Sequence, residues 1–257
     1  MVHPSAQTAI NILTRLQAKS QPAMLAYWVT PNSILTLGGA RAYCDGVFYS
    51  EPRSKKVLQN WTEEIAGSIK VIKSITSIYC ATASVAKTMA EEDYASYDVV
   101  TSQGLEHVLE QTRLLGPTKR DLLSRSVSAE KLLEKMRVLL KGKKALENFS
   151  DENLNHIASG ILLGYPDQAI LGSVTEWEKD DPFAEPLIDA DIRGSGYYIC
   201  PKPVYSYPRH LVNDPGIKTH EKLWSSILYD FYTSDFHTTL AANAKFQQKA
   251  DQLGIVR

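Results

Sequence analysis

Residues 55–90, KKVLQNWTEEIAGSIKVIKSITSIYCATASVAKTMA, decide how this chain is read. Leu58, Trp61, Ile65, Ser68, Ile72, Ile75, Tyr79, Thr82, Ala86 and Met89 follow one another at steps of three and four, and eight of those ten are apolar. Such spacing puts them on one face of an α-helix. Ile69, Ile78 and Val85 widen the stripe, and Gly67 is the one glycine inside it. The pattern predicts a helix of roughly nine or ten turns, or two helices broken near 74–77. So wide a stripe suits the central helix of a helical domain. The alternative is the seam of a homodimer formed through residues 58–89, for which a narrower stripe is usual.

Outward from this stretch, the N-terminal side changes character. Residues 5–19 have helical spacing through Ala9, Ile10, Leu13 and Leu16. Residues 23–30 (AMLAYWVT) read as a strand, Pro31-Asn32-Ser33 as a turn and residues 34–37 as a second strand. Asp45-Gly46 fits a type I′ turn, which pairs 42–44 with 47–49 as a hairpin. On the C-terminal side, helices are predicted over 102–115, from about 118, over 129–147, over 153–163 and 166–178 around Gly164-Tyr165-Pro166, from 219, and over 235–253. Residues 180–218 are rich in proline, with 196–200 (GYYIC) as one more strand. The expected fold is α+β and mostly helical: a helical bundle packed with a small antiparallel sheet, in one domain over 1–257.

Bulk composition narrows the function classes. The chain has 257 residues, 44% hydrophobic and 22% charged, with a formal net charge of −1. These are ordinary globular values, with no basic excess to draw the whole chain to nucleic acid. No apolar run approaches the roughly 20 residues of a spanning helix, and the first residues lack the pattern of a secretory leader. The default expectation is cytoplasmic. Cys44, Cys80 and Cys200 are odd in number and widely spaced, which argues against a disulfide framework or a zinc knuckle.

Several patterns could carry chemistry. The helical hairpin over 153–178 resembles a helix-turn-helix in outline only. Its second helix carries Asp167, Glu176 and Glu178, which phosphates would repel, so sequence-specific DNA binding is disfavoured. Residues 118–144 hold nine Lys or Arg against three acids, and 176–191 hold seven acids against Lys179. These are two charged faces that could meet each other or a partner. Asp189-Ala190-Asp191 has the acidic spacing with which some nucleotide-sugar glycosyltransferases hold a divalent metal. Cys200, His210 and Asp214 could assemble a thiol nucleophile, its base and an orienting acid; Cys44 beside Asp45 is a second candidate thiol.

The strongest compositional signal is aromatic. Residues 197–236 hold nine of the 23 aromatic residues, six of them tyrosines, with Tyr197, Tyr198, Tyr205 and Tyr207 inside the proline-rich segment. Tyrosine joins an apolar body to a polar tip and suits binding surfaces. Tyr205, Tyr207, Arg209 and His210 are therefore the candidate site for a protein partner or small-molecule ligand. The leading expectation is a binding or regulatory protein. The alternative is an enzyme acting through Cys200 and His210, or through Asp189 and Asp191. Cofactor identity is not readable from the sequence.

Overall fold

The first elements follow from their prolines. The protein is described by a computed structural model over residues 2–49, 54–87, 93–124, 127–176, 183–184, 207–253 and 255. Helix α1 (Pro4–Gln17) starts on a proline, and His3 Nδ1 accepts from Ser5 N at 3.1 Å. Pro22 opens a 3₁₀ helix (Pro22–Tyr27) and Pro31 opens α2 (Pro31–Leu37). At a helix start the missing N–H of proline costs nothing, and its fixed φ favours the helix. The two strands expected over 23–30 and 34–37 are therefore helical instead.

The expected hairpin is also replaced. Asp45-Gly46 lies inside one unbroken strand, β1 (Tyr43–Phe48), opposite Asp98 and Tyr97. A Cβ on Gly46 would sit 2.2 Å from Cε1 of Tyr97, so glycine serves the close approach of that buried ring and not a turn.

The 55–90 stretch divides. Its first half is α3 (Lys55–Lys73), whose Leu58, Trp61, Ile65, Ile69 and Ile72 are buried. Its second half is β2 (Ile78–Lys87), antiparallel to β3 (Asp93–Thr101), in a sheet ordered β1-β3-β2. Helix α3 packs on β2 and β3, so the apolar stripe up to Ile72 is a core face. Beyond it, Ile78, Tyr79, Thr82 and Val85 are β-formers, and Ala81 and Ala83 pack against that core.

Next come α4 (Ser102–Gln111), a 3₁₀ helix (Pro117–Ser124), α5 (Ala129–Lys141) and α6 (Asp151–Leu162). Then follow α7 (Asp167–Glu176) and a two-residue pairing of β4 (Phe183–Ala184) with β5 (Tyr207–Pro208). Helices α8 (Pro215–Tyr232), α9 (Asp235–Ala241) and α10 (Ala244–Gln252) close the chain's described part. The α6–α7 hairpin is as expected: Ser150 Oγ accepts from Asn153 N at 3.1 Å, and Gly164 turns the chain at φ +74°. The single helix expected over 235–253 breaks at Asn243, whose Oδ1 accepts from Lys245 N and Phe246 N at 3.1 and 3.2 Å. The fold is thus mostly helical α+β.

Apolar side chains gather in two clusters. One joins α1, α2, α3, one face of the sheet, α8 and α10; the other joins the ends of β1 and β3 to α4, α5 and α6. No helix among the described residues is long and apolar enough to cross a membrane.

Candidate functional site

Residues 40–42 run through the place where the two clusters meet. Ala40 belongs to the first and Ala42 to the second, while Tyr165, on the α6–α7 turn, packs against both. The backbone here is held on three sides. Arg41 N donates to Leu35 O at 3.2 Å, Ala42 N to Leu162 O at 3.1 Å, and Thr101 N to Ala42 O at 3.0 Å. Helix α4 starts hard against it: a Cβ on Gly104 would stand 1.8 Å from Arg41 O, so only glycine fits.

Arg41 between the two alanines is 1% exposed. Its Nη1 donates to Oδ1 of Asn32 in the first turn of α2, and Nε has no partner. Aromatic rings cover the guanidinium, with Cζ 5.8 Å from the Tyr165 centroid and 5.4 Å from that of Trp224 on α8. His220, one helical turn before Trp224, packs against it with the rings tilted by 53° and their centroids 4.3 Å apart. Burial, then the charges of Arg41 and His107, push the His220 pKa down to about 3, so the ring is neutral at neutral pH. Burial also lowers the pKa of Arg41, against small opposing contributions from Tyr165, Cys44, Asp45 and Tyr43.

The nearest carboxylate acting on Arg41 is Asp45, which is exposed on β1 and makes no ion pair with it. Among the described residues no carboxylate accepts a hydrogen bond from Arg41. Removing a guanidinium from water costs several kcal/mol after relaxation. Two cation–π contacts return about 1–2 kcal/mol each, and hydrogen bonds to neutral groups less. The site as it stands has one formal positive charge in an aromatic, largely dry setting with an unused Nε–H donor.

The residues singled out in the sequence fall around this centre or outside it. Tyr207 is buried and donates to Oε1 of Glu221 at 2.8 Å, one residue from His220. Arg209 and His210 are exposed on a 3₁₀ turn. Asp214 caps α8, its Oδ1 accepting from Gly216 N at 2.8 Å and Ile217 N at 3.0 Å. Cys200, Tyr205, Asp189 and Asp191 lie outside the described residues, as does the strand expected over 196–200.

The other two thiols are poor nucleophiles. Burial pushes Cys44 up to about 12, and burial with the charge of Asp98 takes Cys80 up to about 11. Cys80 lines a surface cleft of about 610 Å³ along β2, beside Lys73 and Ser128. The basic face of α5 is partly engaged within the chain, Arg137 and Lys141 both pairing with Asp151 at 2.8 and 3.0 Å. Asp167 accepts from Thr112 Oγ1 at 2.8 Å and Arg113 N at 2.9 Å. Among the described residues no three His, Cys, Asp or Glu side chains gather as metal ligands.

Sequence reasoning missed Arg41. A signal was present: it is the one charged side chain between Lys19 and Asp45. A lone charge in so long an uncharged stretch is either at the surface or buried for a reason. No family model matches the chain, and no curated protein or solved structure matches it significantly.

Proposed function

We propose that this is a binding protein whose centre is Arg41, and that it takes the negatively charged end of a small organic ligand. One observation carries the reading: a fully buried guanidinium whose Nε has no partner and which no carboxylate meets among the described residues. An unpaired buried charge adds nothing to the fold that a well-packed apolar side chain would not, so a guanidinium kept here without a counter-ion is explained by an anion that it receives. The aromatic walls supply a body-binding surface of the kind small-molecule sites use. The aromatic segment singled out in the sequence contributes through Trp224, with Tyr207 buttressing α8 from the other side.

The enzyme readings have less support. A thiol mechanism through Cys200 would rely on an exposed His210, with Asp214 already engaged as a helix cap. Access to Arg41 requires local opening of the packing above it, so association should be slower than an unhindered encounter.

Thermal unfolding in the presence of small organic anions tests the reading. A ligand at 100 times its Kd stabilises by about 2.7 kcal/mol, a shift of several degrees in Tm for a chain of this size. The shift should be present in the wild type and absent in Arg41→Met. Equal shifts in both proteins would mean that Arg41 is not the binding centre.

A further inference from the structure

We infer that the ligand end received by Arg41 is a single carboxylate on a planar, apolar body, and that tetrahedral dianions such as phosphate are refused. The inference rests on the reading of Arg41 as a binding centre and sharpens it to a ligand class.

Charge is the first ground. Among the described residues Arg41 is the one buried cation in the seam, and the His220 imidazole, which feels its charge, adds no second charge because it is neutral. One carboxylate brings the site to neutrality. A phosphate dianion would leave a net negative charge sealed beside aromatic rings, at a large desolvation cost.

Donor geometry is the second. Nη1 is engaged by Asn32 and Nε by nothing, so the edge offered to a ligand is the one that carries Nε. That edge of a guanidinium presents two parallel N–H bonds at the spacing of the two oxygens of a carboxylate. Phosphate sites usually add backbone N–H groups at a helix start. At the two helix starts that touch Arg41, Thr30 Oγ1 accepts from Ser33 N at 3.3 Å in α2 and Thr101 Oγ1 accepts from Gly104 N at 3.2 Å in α4, so both already carry a side-chain cap.

The walls are the third. Tyr165 and Trp224 stand next to each other beside the guanidinium, their centroids 6.2 Å apart and 5.8 and 5.4 Å from Cζ, so the body behind the carboxylate meets aromatic rings. A planar apolar body packs well against such rings, and a hydrated tetrahedral anion gains nothing from them.

The experiment uses the full chain with sodium benzoate, sodium acetate and sodium phosphate at matched ionic strength and pH 7. Binding is followed by thermal shift and calorimetry, and by the Nε–H resonance of ¹⁵N-arginine-labelled protein. The Arg41 resonance is assigned by its loss in Arg41→Gln. Benzoate should raise Tm, acetate should do so more weakly, and phosphate should do no more than the salt control. Benzoate should move the Arg41 resonance, and Arg41→Gln should weaken benzoate roughly a hundredfold. If phosphate matches benzoate and depends on Arg41, the carboxylate class is wrong while the binding centre stands. If benzoate acts equally on Arg41→Gln, or leaves the Arg41 resonance unmoved, it binds elsewhere and the inference falls. If none of the three anions shifts Tm or the resonance, the binding centre falls with it.

Discussion

Among the described residues two cations, Arg41 and Lys249, are buried, and both lie against aromatic rings, yet their electrostatic situations are opposite. Lys249 on α10 is 5.1 Å from the Tyr27 centroid and 5.3 Å from that of Trp61. Its Nζ meets Oε2 of Glu64 on α3 at 2.6 Å, and the Tyr27 hydroxyl donates to the same oxygen at 2.6 Å. Every charge in that group has its complement. Arg41 also has two aromatic rings against it, and an amide where Lys249 has a carboxylate. Aromatic faces therefore do not distinguish a structural cation from a functional one; the counter-charge does. The Lys249 group joins the C-terminal helix to α3 and the 3₁₀ helix near the N-terminus, and it needs nothing from outside. In the Arg41 group, among the described residues, no carboxylate accepts from the guanidinium.

The largest expected effect breaks the complete group. Glu64→Gln leaves Lys249 buried without its anion. Stranding one member of a buried pair costs about 3–5 kcal/mol, and because Glu64 is a third exposed the lower figure, about 3 kcal/mol, is expected. Denaturant titration measures it. Arg41→Met should change stability by less than about 1 kcal/mol in the same assay, since it removes an uncompensated charge. Losses of similar size in both variants would make Arg41 structural and erase the contrast.

Acid gives the next effect, and it ties the contrast to pH. The ordinary histidine value is 6.5; burial holds His237 down to about 4, and burial with the charges of Arg41 and His107 holds His220 down to about 3. Between those values and 6.5 the unfolded chain takes up protons that the folded chain refuses. Stability is therefore complete above about pH 6.5 and falls as the pH drops. At pH 5 each histidine should cost about 2 kcal/mol relative to pH 7. Urea midpoints across this range should shift less in His220→Gln and less again with His237→Gln added. A wild type equally stable at pH 5 and pH 7 would show that these rings are not held neutral.

How much of this could be read from sequence depends on how far apart the interacting residues lie. The ends of α6 and the start of α7 were legible because Ser150, Gly164 and Pro166 act within one turn of themselves. Residues 78–87 were misread because a 3–4 spacing of apolar residues there is compatible with a strand, and β3 decides the matter through pairing. Asp45-Gly46 looked like a turn because the reason for its glycine, the ring of Tyr97, comes from another strand. The candidate site was legible only at its edge. Aromatic crowding over 197–236 includes Trp224, but Arg41 lies more than 100 residues before both Tyr165 and Trp224, and no local pattern joins them. Glu64 and Lys249, 185 residues apart, were equally invisible.

A small gain in stability is the most informative outcome, because the change that brings it converts one group into the other. Asn32→Asp places a carboxylate where the Asn32 amide now receives Nη1 of Arg41. Position 32 is the second residue of α2, where the helix dipole favours a negative charge by about 0.3–1 kcal/mol. The side chain is half-buried, so the new ion pair adds little more after desolvation. A gain of about 1 kcal/mol in urea unfolding is expected. The same change gives Arg41 its counter-charge and should abolish the Tm shift caused by benzoate, because a second anion would then leave the seam negative. Gain of stability with loss of benzoate response is the signature of a charge that had been kept for a ligand. If Asn32→Asp keeps the wild-type response, charge does not govern the site, and the distinction between Arg41 and Lys249 loses its meaning.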